Sequence, residues 1–102
     1  MSAISTVSEI DAQVLAEYLR INELTENDTN TLTTLLTVSK SFIKSYTGRK
    51  DGDLDEINDF VIVVLILVQD MWDNRTMYVD TTNLNFTVKA ILDLHSVNLL
   101  PS

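Results

Sequence analysis

Nine consecutive apolar residues, Phe60-Val-Ile-Val-Val-Leu-Ile-Leu-Val68, stand between Asp59 and Gln69-Asp70 in a chain of 102 residues. A helix needs about 20 such residues to cross a bilayer, so this run predicts a buried core segment and no membrane contact. Its many β-branched residues would also suit a buried strand. The flanks decide between the two. Ile57, Phe60, Val64, Leu67, Val68, Met71 and Trp72 keep the i, i+3, i+4 spacing beyond both ends of the run, which is the helical period. A helix that is apolar most of the way round must be covered on several sides, which makes it the centre of its fold.

The only glycines are Gly48 and Gly52, and the only proline is Pro101. A β-sandwich or barrel would need turn residues every 8–12 positions or so, far more than this. The remaining stripes are helical too. Ile10, Val14, Tyr18 and Ile21, with Leu15 and Leu19, predict a first helix opened by Ser8 as N-cap with Asp11 three residues on. A loop is expected over 22–27. Asp28 can then cap a second helix carrying Leu32, Leu35, Leu36, Phe42, Ile43 and Tyr46, with Gly48 just past its end. Asp53 followed by Glu56 repeats the N-cap signature and predicts a central third helix of about twenty residues. Thr76 to Asn83 breaks the pattern and reads as a short extended arm. A last helix is expected from about Asn85, carrying Val88, Ile91, Leu92 and Leu94 and stopping before Pro101. The expected fold is therefore all-α, a small bundle of four helices with a central apolar third helix, in one domain over residues 1–102.

Composition narrows the function classes. Seven Lys and Arg against fifteen Asp and Glu give a formal net charge of −8, and there is no cysteine and one histidine. No disulfide scaffold, zinc ribbon or thiol catalysis is available to such a chain. Its acidity disfavours steady duplex binding, which needs clustered cations to neutralise phosphates. The start, Met1 to Val7, has neither a basic nor an apolar stretch, so no secretory leader is expected.

The densest acidic cluster is Asp51, Asp53, Asp55, Glu56 and Asp59. A calcium loop counted from Asp51 would need Gly at its sixth position and Glu at its twelfth, and these hold Glu56 and Ile62. The cluster reads instead as a helix N-terminus that complements the dipole. His95 has no cysteine and no readable Ser/Asp arrangement around it, so neither a metal centre nor a triad is expected, and no cofactor. No nucleophile–base pair can be named, and the chain is not expected to be an enzyme.

Two groups suit contact surfaces better than chemistry. Lys40, Lys44, Arg49 and Lys50 place four of the seven basic residues within eleven positions, as a docking patch for an acidic surface or as complements to a helix C-terminus. Trp72 and Arg75, three apart near the end of the central helix, share a face, and both are residue types that often anchor interfaces.

Several of these pieces resemble one family. Ser8-Glu-Ile-Asp opening a helix that closes as Tyr18-Leu-Arg-Ile21 is similar to the start of the small head–tail connector proteins (adaptor or head-completion proteins) of long-tailed double-stranded-DNA bacteriophages. Phe42-Ile-Lys-Ser-Tyr-Thr-Gly48 is similar to the end of their second helix. Met71-Trp-Asp-Asn-Arg75 is similar to the aromatic-x-x-Arg close of their third, and Leu84-Asn-Phe86 leading into Ile91-Leu92 resembles their last helix. The resemblance runs over residues 8–96 in the family's order and spacing.

This resemblance implies a virion structural protein at the head–tail interface. It would be made in the host cytoplasm and join after DNA packaging as a ring of about a dozen copies beneath the portal protein. Such a ring extends the DNA channel and docks a stopper or other tail-side connector. DNA would pass without specific binding, since an acidic wall repels the duplex. Separate acidic and basic zones would suit head-to-tail contacts around the ring. The expected interface residues are Trp72, Arg75, Met77 and Tyr78 on one side and Lys44, Arg49 and Lys50 on the other. The free subunit is expected to be a monomer that orders its arm only on the portal. The alternative is an acidic helical module that binds and inhibits a host protein through the faces near Glu23–Asp28 and Asp51–Asp59.

Overall fold

The computed structural model describes residues 4–97, and those residues contain helices and no strand. A 3-10 turn at Val7–Glu9 is followed by α1 (Ala12–Leu19), α2 (Glu26–Thr47), a single turn α3 (Asp51–Leu54), α4 (Asp59–Asn74) and α5 (Phe86–Leu94). The four longer helices form the expected small bundle. Its centre is α4, which packs against the 3-10 turn, α1, α2 and α5. Phe60, Val61, Val63, Val64, Leu67, Val68 and Met71 of α4 are all buried. Around them close Leu15, Leu32, Leu35, Ile43, Val88 and Leu92, none more than 1% exposed. Burying such a side chain stabilises by about 1.5–3 kcal/mol, more than a β-branched residue loses by being helical.

The helix ends differ from the sequence expectations in informative ways. Ser8 does not cap α1. Glu9 accepts the Thr6 N–H at 3.0 Å and closes the 3-10 turn, while Asp11 itself caps α1 by accepting the Val14 N–H at 2.9 Å. The bend between turn and helix lets both Val7 and Ile10 reach the core. For α2 the cap is Thr25, whose hydroxyl accepts the Asp28 N–H at 3.0 Å, so Asp28 is the third residue of the helix. Gly48 ends it as expected, with φ 76, a left-handed conformation that costs glycine little.

The largest departure is the start of the central helix. Asp53 accepts the Lys50 N–H at 3.3 Å and belongs to the one-turn α3. The long helix begins only at Asp59, so it has 16 residues. An unbroken helix would carry Asp55 on the face opposite Val64. The break instead lets Asp55 reach back and accept the Ser8 N–H at 2.8 Å, and it buries Leu54.

The segment 76–83 is not extended. Asp80 accepts the N–H groups of Thr82 and Asn83 at 3.1 and 3.2 Å, and the Asn83 side-chain amide at 3.1 Å. Val79 and Leu84 are thereby held against the core. Asn85 caps α5 through the Val88 N–H at 3.2 Å. Leu94, expected among the core-facing residues of α5, is 74% exposed. The expected stop at Pro101, like Met1 to Ala3 of the expected leaderless start, lies outside the described residues. No helix among the described residues is long and apolar enough to cross a membrane.

Helices α2 and α4 run antiparallel. Asn27 and Thr31 at the start of α2 share a cleft with Trp72 and Arg75 at the end of α4. At the opposite end, the Val97 N–H donates to the Thr47 carbonyl at 2.8 Å, and His95 meets Asp59. The result is an elongated body, 50 × 28 × 19 Å, with two distinct ends.

Candidate functional site

The seven residues singled out from the sequence divide between those two ends. At the first, α4 stops where Arg75 takes φ 57, and the Thr76 N–H reaches the Met71 carbonyl at 3.0 Å. This is the hydrogen bond of a Schellman close, with arginine where glycine is usual. The turn folds the Arg75 guanidinium back over the Trp72 ring, 5.9 Å from its centroid, within cation–π range. Trp72 is half-buried against the core and Arg75 is exposed. Met77, 55% exposed, shares a cleft with the pair, and Tyr78, 65% exposed, turns to the neighbouring hollow. A cleft of about 90 Å³ lies between Trp72, Arg75 and Met77 and the first turn of α2.

Beside this cluster is a second hollow of about 210 Å³, lined by Leu67, Asp70, Asn74, Tyr78, Val79 and Asp80. Burial, reinforced by the neighbouring Asp73, pushes the Asp70 carboxyl above its ordinary range. The two Asp80 oxygens are already occupied, chiefly by the Asn83 side-chain amide and N–H and then by the Thr82 N–H, which hold that carboxyl below the usual range.

At the other end the basic patch is engaged within its own chain. Lys44 pairs with Asp51 at 2.6 Å. The Arg49 Nε donates to the His95 carbonyl at 2.7 Å and ties the end of α2 to the end of α5. Lys50 is exposed. The acidic cluster 51–59 is folded against these cations, so the basic and acidic zones adjoin instead of standing apart. An exposed pair such as Lys44–Asp51 contributes about 0–1 kcal/mol and is easily exchanged for another partner.

His95 follows α5, with Nε2 3.2 Å from an Asp59 oxygen and its ring edge-on to Phe60 at 5.5 Å. It joins α5 to the start of α4. Among the described residues, no group of three or more His, Cys, Asp or Glu is placed to share a metal ion.

Two features had escaped the sequence reading. Tyr46 donates to Asp93, which also pairs with Lys89 at 2.9 Å. Those two contacts hold the Asp93 carboxyl below its ordinary range, and the Asp93 bond pushes the Tyr46 hydroxyl up. The second feature is the outer face of α5, where Phe86 and Leu94 are 84% and 74% exposed. The signal was present as the four-residue spacing Phe86-Ala90-Leu94, hidden because Val88, Ile91 and Leu92 make the helix apolar on its other face as well.

Compared with protein-family models, curated proteins and solved structures, the chain matches none.

Proposed function

We propose that this chain is a head–tail connector of the adaptor kind, a virion structural protein that joins the portal after DNA packaging as a ring of subunits. The observation that carries this reading is the cluster at the end of α4. An exposed arginine stacked on a half-buried tryptophan, with exposed Met77 in the same cleft and exposed Tyr78 next in the chain, collects anchor-type side chains at one tip of an elongated body. The far tip carries exposed Lys50 and the exchangeable Lys44–Asp51 pair, with Arg49 engaged by the His95 carbonyl, so a surface unlike the first is open there for head-to-tail contact. In this reading the portal or a neighbouring subunit takes the Trp72/Arg75 tip, and a stopper or other tail-side protein docks elsewhere on the ring. The net charge of −8 gives the channel a wall that DNA slides past.

Arg75→Glu tests the site. Arg75 is exposed and makes no ion pair with any described residue, so the variant should stay folded with wild-type helicity and a thermal midpoint only several degrees lower, from loss of the stack on Trp72, while losing attachment to portal-bearing heads. Normal particle yield with that variant would show that the tip is not the contact.

A further inference from the structure

We infer that the hollow beside the Trp72/Arg75 cleft receives an arginine side chain from the protein that docks on this tip. The inference deepens the connector reading and rests on it for the identity of that protein, the portal or a neighbouring subunit. The hollow holds about 210 Å³, less than the roughly 300–1,000 Å³ of a site for a drug-sized ligand, and suits a single side chain. It is continuous with the docking tip, because Met71 and Thr76 line both this hollow and the cleft of Trp72 and Arg75.

The chemistry of the hollow selects a donor-rich cation. Most of the side-chain donors around it are already used inside the chain. The Asn74 amide donates to the Asp70 carbonyl at 2.8 Å, and the Asn83 amide to an Asp80 oxygen at 3.1 Å. The Thr76 hydroxyl donates, at a long 3.5 Å, to the Tyr78 carbonyl. What stays open is chiefly acceptors: the amide oxygens of Asn74 and Asn83, and the Asp70 carboxylate, which makes no hydrogen bond or ion pair with any described residue. No Lys, Arg or His is among the described residues that line the hollow. Burial and the neighbouring Asp73 disfavour the charge on Asp70, and an incoming cation would relieve both.

The floor is apolar, with Leu67, Met71 and Leu84. An arginine meets both halves of such a site. Its methylene stem lies on apolar surface, while its guanidinium presents five donors to the acceptors above. A lysine brings three donors on a more strongly hydrated head and matches spread acceptors less well.

Two measurements test the inference, the first without any portal. Nα-acetyl-arginine amide, titrated into the isotope-labelled chain, should give saturable amide shifts at Asp70, Asn74 and Asn83, with a Kd on the order of 1–10 mM for one side chain. The neutral citrulline derivative should bind at least about fivefold more weakly, and so should the arginine derivative on Asp70→Asn. Because the Asp70 carboxylate holds no partner in the chain, that variant should keep wild-type helicity. Shifts that do not saturate, that fall equally on the acidic stretch 51–59, or that the citrulline derivative reproduces overturn the inference. In the second measurement, Asp70→Asn should weaken attachment to portal-bearing heads at least about tenfold. Normal attachment of Asp70→Asn where Arg75→Glu fails to attach would remove the arginine and leave the connector reading standing. Normal attachment of both variants would sink the connector reading, and the docking partner named here with it.

Discussion

Arg20 and Arg75 each end a helix in the left-handed conformation, with φ 61 and 57. A side chain there costs on the order of 1 kcal/mol relative to glycine. Arg20→Gly is therefore expected to raise stability by up to about 1 kcal/mol, seen as a higher urea midpoint at unchanged slope. Arg75→Gly should stabilise similarly but lose the stack on Trp72, and under the connector reading it loses head attachment while gaining stability. A second gain is available inside α2, where the Ser39 hydroxyl is buried without a hydrogen-bond partner. Ser39→Ala should stabilise by about 1 kcal/mol, since the desolvated oxygen is removed at little loss of volume. Charge acts at this scale through bonds to carboxylates. Thr6 holds Glu9, Ser8 holds Asp55, Asn83 holds Asp80 and Tyr46 holds Asp93 below the ordinary carboxylate range. Because the folded values are lowered, their contribution is complete above about pH 5 and is lost as pH falls through the unfolded and then the folded values. The thermal midpoint should thus drop with acidification below about pH 5, and Asp55→Asn should make that drop shallower.

Two phenylalanines separate the working parts of the helices. Phe60 is fully buried at the start of α4, and Phe86 is 84% exposed at the start of α5. Phe60→Ala should cost about 3–5 kcal/mol, whereas Phe86→Ala should change monomer stability by less than about 0.5 kcal/mol. The identity and order of the long helices were legible because each carries a stripe at helical spacing, and the spacing around Phe60–Val68 overrode its β-branched composition. The boundaries were not. Asp, Ser and Thr cap about equally well, so a run such as Thr6-Val-Ser-Glu-Ile-Asp11 offers several caps, and tertiary contacts choose among them. The break between α3 and α4 depends on a bond from Asp55 to Ser8, 47 residues away, which no local pattern announces. Burial of both Val88 and Leu92 on one side of α5 likewise concealed that Leu94 belongs to the other.

Across the molecule, the candidate surface was only partly visible in the sequence. Trp72 and Arg75 were legible as a pair from their i, i+3 spacing, although Arg75 lies just past α4 and its left-handed turn is what brings them together, and Met77 shares their cleft. The basic stretch 40–50 was legible as charge, but its pairing was not: Lys44 finds Asp51 and Arg49 finds the His95 carbonyl only after α3 and α5 fold back on the end of α2. The central claim is that this chain acts through the shape and polarity of its exterior, assembling on a portal. Negative-stain imaging of purified portal mixed with the protein tests it most directly. The account predicts added density at one end of the portal, with rotational symmetry matching a ring of subunits and absent when Arg75→Glu is used. Bare portals at saturating protein, with the chain recovered instead on a single soluble host protein, would contradict it.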